Sequence, residues 1–154
     1  MLLCGNNGTG KSKLMHALSH VIANYNGSTG KIDSIQPFTI ISARELARLY
    51  GSKVPDDLHR FENLKKAYVL GIDDIGDEEV TVKNYGTNKN PVIDILLYRY
   101  DMMKVTILTT NLSMDSPDKT NILTIRKTYG ERIYDRMCEM YDRIVFNFKS
   151  FRQM

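Results

Sequence analysis

Short apolar runs rich in β-branched and aromatic side chains recur along the chain at Met1 to Cys4, Phe38 to Ile41, Tyr68 to Ile72, Val105 to Leu108 and Ile144 to Phe148. Runs of this length, flanked by polar residues, predict five buried β-strands. Between them apolar side chains return at helical spacing. Leu14, Leu18, Val21 and Ile22 form one stripe, and Tyr129, Ile133, Met137 and Met140 form another. Strands alternating with helices predict an α/β domain whose mainly parallel sheet is covered on both faces. The segments Asn24 to Gly30 and Asn84 to Pro91 are dense in Asn, Gly, Ser and Thr and read as turns or surface loops.

Bulk properties narrow the class. A chain of 154 residues makes one compact domain, here taken as 1–154, with a sizeable core. An apolar content of 42% with 25% charged residues excludes a disordered chain. No apolar run approaches the roughly 18 to 20 residues of a membrane helix, and the start lacks a secretory signal, so the expectation is a cytoplasmic protein without membrane attachment. Two cysteines, Cys4 and Cys138, are too few for a disulfide framework or a zinc site and read as reduced thiols in a packed interior. A net charge of +3 permits a local nucleic-acid-binding face without predicting one.

The chemistry is concentrated in Gly5-Asn6-Asn7-Gly8-Thr9-Gly10-Lys11-Ser12, which matches the pattern GxxxxGK followed by Ser or Thr. It follows a predicted strand and opens a predicted helix, the context the motif needs. Glycines let the backbone turn its N–H groups towards phosphate oxygens, and the helix adds its positive end. Lys11 supplies a charge for the β and γ phosphates, and Ser12 a hard oxygen for Mg²⁺. The expected ligand is therefore a nucleoside triphosphate, ATP, with Mg²⁺. Asn26-Gly27-Ser28-Thr29-Gly30-Lys31 resembles a fragment of the motif but lacks its spacing, and reads as a turn.

Three further places belong with the loop. The strand from Tyr68 ends in Asp73 and Asp74, and a carboxylate at the carboxyl end of a neighbouring parallel strand can hold the metal shell. Asp73 takes the metal role and Asp74 orients or activates the attacking water. The strand from Val105 leads to Asn111, placed to sense the γ phosphate or position water; a helix or turn cap is the local alternative. Arg132 and Arg136 stand four apart on one helical face, answered either by Glu131, Asp135 and Glu139 or by a γ phosphate in an adjacent subunit.

Taken together, GNNGTGKS, LGIDDIG, TILTTNLS, YGERIYDRM and RIVFNFKSFR resemble the bacterial helicase-loader ATPases of the DnaC type and the related IstB-type transposition helpers of the AAA+ superfamily. The resemblance covers nearly the whole chain. It implies a P-loop fold, a three-layer αβα sandwich with sheet order 5-1-4-3-2, and ATP hydrolysis in DNA replication. It makes Asp73 the Mg²⁺ carboxylate, Asp74 the catalytic acid position, Asn111 the first sensor, Arg136 the arginine finger and Arg152 a second sensor. Ala43 to Lys66 would correspond to helices that contact single-stranded DNA, with Arg60, Lys65 and Lys66 as candidate contacts or as a solvated face. The implied partners are further copies of the chain and a replicative helicase or a transposase. Family members carry sequence upstream of the loop, so the expectation is a chain lacking the amino-terminal partner-binding domain and part of the adenine pocket, and no separate helical lid is read after the fifth strand. Asp74 is one methylene shorter than the Glu that most of the superfamily carries, which implies slow hydrolysis. A small-molecule kinase and a nucleotide-binding module without turnover are the other readings.

Overall fold

The computed structural model describes residues 1–28, 38–78, 82–84, 87–115 and 123–151. Five strands, β1 (Leu2–Gly5), β2 (Phe38–Ser42), β3 (Val69–Ile75), β6 (Val105–Thr110) and β7 (Arg143–Phe146), form a sheet in the order β2-β3-β6-β1-β7. Every pairing is parallel. Counted by these five strands alone, this is the expected order 5-1-4-3-2, read from the opposite edge. Neighbouring parallel strands cannot be joined by tight turns, so each connection crosses a face carrying helices.

One face is covered by α1 (Lys11–Ser28), the other by α2 (Ala43–Gly51), α3 (Pro55–Lys66), α4 (Pro91–Asp101), α5 (Ile125–Tyr129) and α6 (Glu131–Met140). Side chains alternate across each strand, and the core divides accordingly. Leu3 and Ile107 join Met15 on the α1 side, whereas Leu2, Cys4 and Leu108 join Leu46, Ile95, Ile125 and Ile133 on the other. Gly71 in β3 lets α1 approach, since a Cβ there would stand 2.8 Å from Met15 Sδ.

Several expectations need correction. Val21 is 62% exposed, and the fully buried residue of α1 is Met15. Leu14 and Leu18 of the expected stripe do pack against the core, and Val21 departs from it because Val is as apolar as Met and only the sheet decides which side is covered. The helix also runs to Ser28, through residues read as a turn, since a helix propagates through weak formers at a few tenths of a kcal/mol each; residues 29–31 lie outside the described residues. Asn84 to Pro91 holds part of an antiparallel hairpin, β4 (Val82–Asn84) with β5 (Thr87–Lys89), and Pro91 opens α4 with Asn90 as its cap. Asn, Gly and Thr serve hairpin turns as readily as loops. The stripe from Tyr129 to Met140 is broken at Gly130 (φ 85°), which separates α5 from α6. Cys4 is buried but Cys138 is exposed on α6. The last strand stops at Phe146, with Phe148 beyond it.

The helical layer is tied to the sheet by Arg99, fully buried on α4. Its guanidinium donates to the carbonyls of Leu64, Lys65 and Ala67 at the end of α3, to Val105 O at 2.6 Å and to Thr106 Oγ1 at 2.8 Å. Burial pulls its pKa down to about 10, so it stays charged at neutral pH. The acceptors include the last carbonyls of α3, where a cation is favoured by the helix dipole. Replacing Arg99 by Met strands these acceptors in the interior. The expected loss is about 3 kcal/mol or more, seen as a lower urea midpoint at unchanged slope. Arg48→Met, on the exposed face of α2, should leave the midpoint where it is.

Candidate nucleotide site

The loop between β1 and α1 rests on three left-handed glycines: Gly5 (φ 148°), Gly8 (φ 77°) and Gly10 (φ 95°). At Gly5 the requirement is also steric, because a Cβ would stand 2.5 Å from the Phe146 carbonyl oxygen of β7. Thr9 Oγ1 donates to Asn6 O at 2.9 Å and closes the loop on itself. The first helical bond runs from Leu14 N to Gly10 O, so the N–H groups of Lys11, Ser12 and Lys13 precede the ladder, as anion-binding helix ends require.

Lys11 is 4% exposed. Its ammonium donates to Gly5 O at 2.8 Å, Asn6 O at 2.9 Å and Asn111 Oδ1 at 2.8 Å. Burial lowers its pKa, and Asp74 and Asp73 pull it partly back. Next to it Ser12 Oγ donates to Asp73 Oδ1 at 2.9 Å. Asn7, Gly8, Gly10, Lys11, Ser12, Lys13, Asp74, Asn111 and Phe151 line one cavity of about 250 Å³.

The two carboxylates do not simply follow the end of a strand. β3 continues past them to Ile75, and its register against β6 slips: Ile72 pairs with Leu108 and Ile75 with Thr110. Asp73 and Asp74 thus stand against the single residue Thr109, a bulge, which is uncommon between parallel strands. Asp74 takes φ 56° there, a left-handed conformation that Asp tolerates better than most residues. Thr109 Oγ1 bonds both, donating to Asp73 Oδ1 and accepting from Asp74 N at 2.8 Å.

Sequence reasoning missed Thr109, and it missed Glu78. Glu78, 7% exposed, accepts from Gly76 N at 2.8 Å and from the Tyr129 hydroxyl, holding the turn that follows β3 against α5. Burial beside Glu78 pushes the Tyr129 phenol far above its ordinary value, so it remains a donor. A Thr within a TxxTT strand and a Glu after a double Asp carry no pattern of their own; only the pairing of β3 with β6 gives them meaning.

The arginines lie elsewhere. Arg136 is stacked over Tyr100 of α4 at 4.5 Å and stands 3.5 Å from Asp101, away from the loop cavity's lining. Of the local partners expected for it, Glu131 stands 3.4 Å from Arg126 and Glu139 accepts from the Tyr100 hydroxyl at 2.6 Å. Arg132 is exposed on the same helix, and Arg152 lies outside the described residues. Of the candidate DNA contacts, Lys65 is held by Asp94 at 2.9 Å and lies over the Phe61 and Tyr98 rings, which makes it part of the fold. Arg60 stands 3.5 Å from Glu45, and Lys66 is exposed.

For Mg²⁺ the donors fit. Ser12 and Asp73 offer two hard oxygens side by side, and no larger cluster of ligating side chains occurs among the described residues. That suits an ion held by one or two protein oxygens together with phosphates and water.

A parallel sheet with this loop after its first strand and a carboxylate at the tip of the adjoining pair of strands defines the P-loop nucleoside-triphosphatase class. Residues 1–132 match the ATPase family associated with various cellular activities (AAA), and the chain belongs to that family. Its fold is that of solved replication proteins. It is similar to the DnaC helicase loader (22% identity, TM-score 0.64, covering 96% of this chain and 77% of that one). It is similar also to DnaI (25% identity, TM-score 0.68, covering 97% and 70%). A third is the replication initiator DnaA bound to AMPPCP and single-stranded DNA (19% identity, TM-score 0.60, covering 97% and 40%). No curated protein matches the sequence. Among the described residues no helix is long and apolar enough to cross a membrane.

Thr109→Val keeps the shape and removes the hydroxyl, leaving the Asp74 N–H without its acceptor. The expected cost is about 1 to 3 kcal/mol in thermal or urea unfolding, with Thr109→Ser close to wild type. Equal stability of Val and wild type at this position would show that the hydroxyl does not hold the bulge.

Proposed function

We propose that the chain is a helicase-loader-like ATPase of DNA replication. In this reading it binds ATP with Mg²⁺ at the loop, hydrolyses it to ADP and phosphate, and uses the nucleotide state to switch an assembly of its own copies. The reading is carried by one observation: the Lys11–Asn111 and Ser12–Asp73 hydrogen bonds gather the residues expected at the γ phosphate around one cavity. The match to the AAA family and the likeness in fold to DnaC, DnaI and DnaA support this reading over a small-molecule kinase, with a transposition helper as the alternative of the same fold.

Each residue then has a task. The loop from Gly5 to Ser12, through Asn6, Asn7, Gly8, Thr9 and Gly10, wraps the phosphates with backbone N–H groups. Lys11 exchanges its carbonyl partners for β and γ oxygens. Ser12 and Asp73 hold the metal, which neutralises charge on the phosphates when bound. Asp74, lining the cavity, orients water for attack and accepts its proton. Asn111 moves from the Lys11 ammonium to a γ oxygen or to that water. Arg136, with Arg132 as the second candidate on α6, reaches the γ phosphate of a neighbouring copy, and Arg152 contacts the nucleotide from the carboxyl-terminal segment. The replicative helicase and single-stranded DNA are the proposed partners of the assembly.

Phosphate release tests the reading. Lys11→Ala and Asp74→Asn are each expected to slow hydrolysis about a hundredfold, with Asp74→Asn still binding ATP. Undiminished hydrolysis by Asp74→Asn would remove its role. Mixing Lys11→Ala chains with Arg136→Ala chains, and separately with Arg132→Ala chains, should restore activity for the arginine that works across the interface. If neither mixture recovers, no arginine of α6 acts in trans.

A further inference from the structure

Beyond Phe146 the chain turns back over the phosphate loop. The Phe151 N–H donates to the Gly8 carbonyl at 3.0 Å, and a Cβ at Gly10 would stand 3.9 Å from Phe151 Cε2, so the ring is seated against the loop itself. Yet Phe151 is 60% exposed and lines the same cavity as Lys11, Ser12, Asp74 and Asn111. Phe148 is exposed to a similar degree but lies edge-on to Phe146, with ring centres 6.4 Å apart. Among the described residues Phe151 has no such ring partner. A large apolar side chain, fixed by its own backbone and left open towards a polar cavity, has the form of a binding surface.

We propose that Phe151 is the platform on which the base of the bound nucleotide stacks, and that it favours purines over pyrimidines. The inference rests on the nucleotide-binding reading above. Lys11, Ser12, Asp73 and Asn111 hold one another at the end of the cavity suited to the terminal phosphates and metal. Phe151 takes no part in these bonds and is held on the loop by Gly8, which leaves its ring to the nucleoside part of the same ligand. Stacking uses the face of a base and not its hydrogen-bonding edge, and the larger purine face overlaps a phenyl ring better. Purine nucleotides therefore bind ahead of cytosine and uracil nucleotides.

Calorimetric titration of the whole chain with Mg·ATP, Mg·CTP and Mg·tripolyphosphate separates the base from the phosphates. Phe151→Ala should weaken ATP about tenfold, narrow the ATP-to-CTP ratio and leave tripolyphosphate unchanged, whereas Phe151→Tyr should keep ATP affinity. The chain contains no tryptophan, so Phe151→Trp provides a single fluorophore, expected to be quenched by ATP and not by tripolyphosphate. If Phe151→Ala weakens ATP and tripolyphosphate equally, or leaves ATP untouched, the platform is refuted while the phosphate site stands. A wild-type chain that binds neither ligand would refute both.

Discussion

The hydroxyl of Thr109 is the contact on which the candidate site depends. In a regular strand, consecutive side chains point to opposite faces, so a pair of adjacent aspartates could send only one to the loop. The bulge at Asp73 and Asp74 removes that restriction, at the cost of a left-handed residue and an interrupted ladder. Thr109 compensates both losses at once, replacing the missing backbone partner of Asp74 and fixing the orientation of Asp73. Asp73 in turn takes the hydrogen bond of Ser12, which registers the strand tip against the start of α1.

The loop itself is held from outside. Gly5 sits so close to β7 that no side chain fits, and the segment after β7 returns to bond Gly8. The last strand and its continuation therefore brace the first turn of the chain, a contact spanning nearly the full length of the sequence. Within this brace the buried Lys11 donates to two loop carbonyls and an amide oxygen, and two nearby carboxylates partly offset the lowering of its pKa by burial. Oxygen atoms that satisfy an ammonium can be exchanged for phosphate oxygens at little electrostatic cost, which makes the arrangement suited to an anionic ligand.

A second buried cation organises the opposite end of the molecule. Arg99 ties the end of α3, helix α4 and the beginning of β6 together through four carbonyls and the Thr106 hydroxyl. In the same helical layer, Tyr129 of α5 donates to Glu78 in the turn beyond Asp74, and Arg136 of α6 is stacked on Tyr100 of α4. The two charged interiors divide the labour: Lys11 faces a cavity open to ligand, and Arg99 faces only protein.

Local chemistry made much of this readable in one dimension. The phosphate loop, the five strands and the alternation of strands with helices rest on turn residues and periodicity, which act between near neighbours in the chain. Asp73, Asp74 and Asn111 were also legible as polar residues at the ends of apolar strands, where parallel sheets present their ligands. The faces of amphipathic elements were less so: Val21 and Met15 are equally apolar, and only the packed sheet selects between them. Lys65 reads as a surface charge until Asp94, Phe61 and Tyr98 enclose it. The bulge, the bridging role of Thr109, the Glu78–Tyr129 bond, the carbonyl cage of Arg99 and the return of Phe151 to the loop were decided by tertiary structure alone. Each joins residues far apart in the chain, and no local preference encodes a partner that only folding brings within hydrogen-bond reach.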